Sequence, residues 1–432
     1  MKSIAIKQDN TTASAQNNGQ RRWRAGWLLA APHRLGFFAA ALMLALTASW
    51  WALVLAARAR GWPIPWAVAP AAAHGLLMSQ GFMPLFMAGF LFTAGPKWLD
   101  LPPQPARRLL TPVLVMLSGW ALTLAGIHVG AVIAALGCAL VAAGWSHISA
   151  LFAELVRRSR VPDRVHATLV AACCAVGALA LWLAALALAL ESAPLLRAVN
   201  QLAIWGFVAP VFAVVSHRMI PFFTAAALPP LDAWRPLWLL WTLVLLLWMQ
   251  GLVALAESLW WPLPAWIRGA QAALEALAAV LLLALALRWG LVQSLRIRLL
   301  AMLHVGFVWL GLAFALAAIA HLCMALGVET RSLGLAPLHA LTLGYLGGTL
   351  LAMATRVSAG HGGRPLAADD IAWTLYWIAQ LAALLRVLAE LVASASNALM
   401  LLAAGCWAVA CCGWALRYGR WFGRPRADGR PG

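Results

Sequence analysis

Charge is what this sequence has least of. Asp, Glu, Lys and Arg together make up 10% of its 432 residues, and only 13 residues are acidic. No polar stretch between the long apolar runs is long enough to fold as a soluble domain, which excludes a water-facing globular enzyme. Tyrosine is scarce, with 3 against 25 Trp, and the seven cysteines form no CxxC and no pairing framework in a loop. Cys138, Cys173, Cys174, Cys323, Cys406, Cys411 and Cys412 all fall inside apolar runs, so they read as small packing residues. What is abundant is apolar: 64% of residues are hydrophobic and the mean hydropathy is +0.85, which places the chain in a membrane. Trp50, Trp51, Trp62, Trp66, Trp260, Trp261 and Trp266 lie at the ends of apolar runs, as in an interfacial belt.

Crossing about 30 Å of hydrocarbon at about 1.5 Å per residue takes roughly 17 to 25 apolar residues. Twelve segments qualify, near 35–57, 67–95, 109–126, 129–153, 166–190, 198–217, 236–256, 268–287, 297–325, 333–355, 369–392 and 396–417. The expected fold is an all-α polytopic membrane protein, a single bundle of about twelve transmembrane helices over 35–417. Residues 1–34 are expected to be a disordered basic cytoplasmic tail without a removable signal peptide, and 418–432 a second basic tail. With the N-terminus inside, the inner segments hold 25 Lys and Arg, while the outer loops hold five: Arg58, Arg60, Arg197, Arg268 and Arg331. That bias predicts both termini in the cytoplasm of a bacterial inner membrane. It also explains the net charge of +18 as topology plus attraction to anionic lipid, with no nucleic-acid partner.

Ionisable side chains in hydrocarbon cost at least a few kcal/mol, so function is sought first among them. His74 in the second segment and His339 in the tenth each lie six or seven residues past the outer end of a descending helix, about 10 Å deep. Two imidazoles at one level suit a haem iron between helices, or hydrogen bonds to neighbouring helices. His217, His304 and His361 form an inner set that suits copper or simple interfacial snorkelling, with His361 expected in the loop after the tenth segment. His128, His147, His166 and His321 are expected to be structural. Arg386 and Glu390, spaced i, i+4, neutralise each other, and Arg386 is a candidate for a haem propionate. Glu275 has no charged neighbour at helical spacing and is a candidate for proton movement or a polar contact between helices. Gly344, Gly347 and Gly348 permit close approach of a helix or flat ring, and RVSAGHGGRP allows Arg356, His361 and Arg364 to converge at the inner interface.

The stretch HALTLGYLGGTLLAMATRVSAGHGGRPL closely resembles the signature of the NnrS family, with His339, Thr342, Gly344, Met353, Arg356, Gly360, His361, Gly363 and Arg364 in matching places. APHRLGFF, HGLLMSQGFMPLFMAGFLFTAGPKW and HRMIPFFT, the last carrying His217 and Arg218, resemble further family motifs in the expected order. The resemblance implies a twelve-helix protein containing haem, b-type by expectation, and copper, associated with nitric oxide metabolism and nitrosative stress, with nitric oxide and an electron donor as partners besides the lipid bilayer. Many members carry a second His followed by Glu in the second-helix motif, where this chain has Leu76 and Leu77. The carried-over ligands are therefore His74 and His339, and the departure weighs against copper. Haem-copper oxidase subunits also place haem ligands toward the outer side of their second and tenth helices, but the seventh segment here has no His. From other classes, a proton-coupled transporter or a respiratory assembly factor remains open. The halves show no self-similarity of the kind that favours a transporter.

Overall fold

The computed structural model describes residues 22–260, 263–328 and 333–430. Residues 1–21 of the expected tail, Arg331 and residues 431–432 lie outside that range. Among the described residues the ordered elements are helical, and twelve helices are long and apolar enough to cross a membrane. They are α1 (Pro32–Ala59), α2 (Pro70–Trp98), α3 (Arg107–Val129), α4 (Ala131–Arg158), α5 (Val165–Ala189), α6 (Ala193–Ala227), α7 (Leu237–Ser258), α8 (Ala265–Arg288), α9 (Arg298–Ala325), α10 (Ala336–His361), α11 (Asp370–Leu391) and α12 (Ala393–Phe422). All twelve expected segments are present.

Local sequence explains where these helices begin and bend. Proline occupies the first or second position of α1, α2, α6 and α10, where its missing N–H costs nothing and its φ is already helical. Ser192 and Asp369 cap α6 and α11 by accepting from Leu195 N and Ala372 N. α2 breaks around Gly81 and Phe82 into Pro70–Gln80 and Met83–Trp98. α6 and α10 each contain a π-helical stretch, Ala203–Val208 and Ala340–Gly347, the second beginning directly after His339. Such stretches re-aim the side chains on either side of them.

The helices divide into a centre and a ring. In the apolar windows of α2, α6, α10 and α9, 83%, 72%, 72% and 67% of residues are buried inside the protein, against 33% in α7 and α12. A helix surrounded by protein can carry polar groups that lipid would not accept. The histidines at issue accordingly lie on α2, α6, α9 and α10, or on the helices packed against them. Close packing at the centre depends on small residues: a Cβ on Gly36 of α1 would come within 2.6 Å of Gly89 in α2. A Cβ on Gly306 of α9 would come within 2.9 Å of the Thr349 backbone in α10.

Both ends of the described chain meet at one end of the bundle, as an even number of crossings requires. Arg24 N donates to Gly423 O at 2.8 Å, and Arg34 Nη1 donates to Arg424 O at 2.6 Å. This end is called the terminal end, and the other the far end. The expected tails are shorter than the 1–34 and 418–432 read from composition. Residues 25–30 form a 3₁₀ turn, α1 begins at Pro32 with His33 and Arg34 buried, and α12 continues to Phe422. Arg34, counted with the first tail, instead donates its guanidinium to the backbone of Arg424 in the second.

Candidate functional site

At the far end, His74 lies one turn into α2, and its ring stacks on Trp51 of α1 with centroids 4.0 Å apart. Its Nδ1 is buried without a hydrogen-bond partner. An unsatisfied buried group of this kind costs about 1–3 kcal/mol unless a ligand engages it. His339 closes the first turn of α10, and its Nδ1 donates to Leu335 O at 2.9 Å, leaving Nε2 as the nitrogen with the free lone pair. His74, His339 and Arg386 of α11 lie within electrostatic reach of one another. Both imidazoles thus lie within the first turns of their helices at the far end.

Arg386 is held by Glu390 at 2.6 Å through Nη2, while its Nη1 is buried and unpartnered. The expected neutralisation is therefore present, and one donor is left over. Beside Trp51 opens a cleft of about 450 Å³, lined also by Val54, Leu55, Arg58, Trp62, Ile64, Trp66 and Pro70. Its size falls in the range of sites that hold organic ligands. Leu76 and Leu77 are fully buried in the bundle and present no ligand atom.

At the terminal end the structure does not bring the expected inner set together. His217 Nδ1 pairs with His166 Nε2 at 3.0 Å, and its Nε2 donates to Pro236 O at 3.2 Å. His304 Nε2 bonds Thr224 Oγ1 at 3.0 Å. His361 is the last residue of α10 rather than a loop residue, and its ring lies against His33 of α1 with centroids 4.8 Å apart. Three histidines on three helices thus take three different neighbours. Among the described residues no group of three His, Cys, Asp or Glu is arranged to hold a metal ion.

The arginines of the motifs do not converge either. The Arg218 guanidinium lies 5.0 Å from the Trp98 ring centroid, Arg356 3.9 Å from Phe223, and Arg364 4.1 Å from Trp421. Each is pinned over its own aromatic face. Burial, then the neighbouring Arg417 and Arg424, lowers the Arg364 pKa from its usual value. Gly363, at φ +65°, turns the chain after α10 and packs against Asp428, whose carboxyl is held well below the usual range by its ion pair with Arg426.

Two groupings escaped the sequence reading. His33 was counted only as preceding the first segment, yet it is 3% exposed and faces His361. Glu275, which has no charged neighbour at helical spacing, makes the polar contact between helices held open for it, but its partner His321, at 2.7 Å, and Glu257, 3.5 Å from the other ring nitrogen, were not foreseen. Contacts between helices far apart in sequence leave no trace in helical spacing. The only available signal was that all three residues fall toward the far end of their segments. His166 likewise gains a histidine partner, whereas His128 is structural as expected, bonded to Trp50 Nε1 and Pro65 O at 2.9 Å each.

A sequence model of the family described as NnrS protein matches residues 27–426, nearly the whole of the chain. No curated protein matches it.

Proposed function

We propose a function from one premise: the chain belongs to the NnrS family. It is a multi-pass membrane protein, and family membership supports a role in the response to nitric oxide. On our reading it binds haem between α2 and α10 at the far end, where His74 and His339 are the residues that would hold the iron. The observation that carries this is the pair of imidazoles within reach of each other, one with an orphaned buried nitrogen and the other with Nε2 left free by its bond to Leu335.

The residues present fit the group. Two neutral imidazoles are a suitable donor set for haem iron, and Leu335 O fixes the ring of His339 much as a carbonyl orients a ligating histidine elsewhere. The unpartnered Nη1 of Arg386 is the donor a propionate carboxylate would take, while Glu390 holds the rest of the guanidinium in place. Bound there, haem would supply an iron centre for the binding or redox chemistry of nitric oxide. The protein's own part is to hold two imidazoles, shield them with the Trp51 ring and keep water out. Haem-replete expression in a b-type background should yield a Soret band and about one iron per chain. A folded protein with neither would sink the reading.

An apolar cavity of about 50 Å³ lies where α1, α2, α6 and α10 meet, lined by Phe37, Phe86, Phe90, Phe212, Leu350 and Met353 among others. Cavities with such walls stay dry and accept small apolar molecules. Nitric oxide belongs to that class, which supports the same reading. We do not carry copper to His217, His304 and His361, because each already has a different neighbour. The excess of Lys and Arg on the terminal side supports a cytoplasmic location for that end in an inner membrane, an orientation that would set the haem toward the outer leaflet. A second reading, a proton-coupled transporter, draws support from the buried His321–Glu275 pair. Substrate-dependent flux in proteoliposomes without bound haem would decide for it.

A further inference from the structure

Two carboxylates on one imidazole are costly in an apolar bundle, because the assembly keeps a net negative charge even when the ring is protonated. Glu257 near the end of α7, Glu275 on α8 and His321 near the end of α9 nevertheless meet toward the far end. His321 Nδ1 lies 2.7 Å from Glu275 Oε2, and Nε2 lies 3.5 Å from Glu257 Oε1. Since the two nitrogens face different carboxylates, both can donate only when the ring carries two protons. The same divergence keeps the three side chains from converging on one metal ion, in keeping with the absence of any such group among the described residues. The ligand this arrangement can take is a proton.

Side-chain exposure falls stepwise along the triad, from 22% at Glu257 to 9% at His321 and 2% at Glu275. Beyond Glu275 the polar path continues to Gln271, one turn away on the same helix face. Gln271 Nε2 donates to Glu275 Oε1 at 3.1 Å, while its own Oε1 is buried without a partner. Arg268, buried one turn further back, supplies a cation on that face, and Cys323 is the next ionisable group after His321 on α9. Glu257 is thus the most exposed of the three, and Glu275 the deepest carboxylate, with Gln271 and Arg268 on the far-end side of it along α8.

We propose that Glu257, His321 and Glu275 form a proton-loading site, filled from the aqueous phase at the far end. Before loading, an imidazolium stands between two carboxylates. The incoming proton adds to Glu257, and the Nδ1 proton of His321 passes to Glu275 Oε2, breaking the N–H bond and forming an O–H bond. The loaded triad holds two carboxylic acids and a neutral imidazole whose Nε2–H faces Glu257. Its charge has gone from minus one to zero, the state an apolar bundle accepts most readily. Loading does not depend on whether haem is bound.

Infrared difference spectra of the full chain in lipid nanodiscs test this directly. Acidification should raise a carboxylic-acid C=O band that shifts in D₂O, one component of which disappears in Glu275→Gln. In oriented proteoliposomes the band should follow a pH jump on the far side only. Glu257→Gln, at a partly exposed position that tolerates change, should slow the rise of the Glu275 component by about a hundredfold. A folded protein without a Glu275-dependent band, loading from the terminal side, or a rise unaffected by Glu257→Gln would each overturn the proposal.

Discussion

Two pairs of histidines sit at opposite ends of this bundle, and their surroundings differ in net charge. At the far end, His74 and His339 share their neighbourhood with one cation, Arg386, which Glu390 neutralises. At the terminal end, His33 and His361 lie within the field of Arg34, Lys97 and Arg426, where the nearby acid is Asp428, paired with Arg426 at 2.6 Å. Both pairs consist of imidazoles within electrostatic reach of each other, and both contain a buried Nδ1 without a partner, on His74 and on His33. Ring geometry alone therefore does not mark a metal-binding pair. The electrostatic setting does: a metal cation is accepted beside a neutralised arginine and opposed where Arg34 and Lys97 add positive charge beyond the paired Arg426.

The largest effect expected from this contrast is all-or-none. His74→Ala or His339→Ala should remove most haem absorbance and bound iron, whereas His33→Ala, His361→Ala and His128→Ala should leave both near wild type. Loss of haem from the His33 variant to the same degree would erase the distinction between the two ends. Arg386→Gln should weaken haem retention by about tenfold, equivalent to about 1.4 kcal/mol, as expected for loss of one charge-assisted hydrogen bond. Competition with apomyoglobin measures that change, and unchanged retention would remove Arg386 from the site. Trp51→Leu should cost about 0.5–1.5 kcal/mol of stacking on His74 and shift the Soret maximum without abolishing it. At the terminal end, His217→Ala, His304→Ala and His361→Ala should leave copper content measured by elemental analysis unchanged, since these residues form no common site.

The smallest effect belongs to the terminal clamp. Ala427 N donates to Gly362 O at 2.9 Å, and Arg426 donates to His361 O at 3.2 Å, while Arg426 is itself bound by Asp428. Because the folded-state pKa of Asp428 is depressed, the contribution of this pair is intact at neutral pH. It is lost only as pH falls through that lowered value, below the ordinary carboxylate range. Asp428→Asn should therefore slightly reduce thermal stability at pH 7, with the difference shrinking in strong acid and haem absorbance unaltered.

Helix number, approximate bounds and the pairing of the two ends were legible in the sequence because burial in lipid demands length and apolarity, which any stretch of chain displays by itself. The His74–His339 pair was legible for a related reason. Depth along a helix of known direction follows from counting residues, and two residues at one depth need only neighbouring helices to meet. Lateral neighbours were not legible. α5 supplies His166 to His217, and α6 supplies Thr224 to His304, neither of which can be read from position along a single helix. His321 and Glu275 met for the same unseen reason, through the packing of α8 against α9. The tail bounds nearest the helices were misjudged because polar composition was read as solvation, whereas Arg24 N and the Arg34 side chain bond to backbone across the two ends and Arg426 bonds to His361 O.

The central claim, that His74 and His339 together hold haem iron, is tested most directly by the electron paramagnetic resonance spectrum of the ferric protein purified from haem-replete cells. The account predicts a low-spin signal of bis-imidazole type that is lost in both His74→Ala and His339→Ala. The same signal persisting in either variant, or a high-spin signal in the wild-type protein, would contradict it.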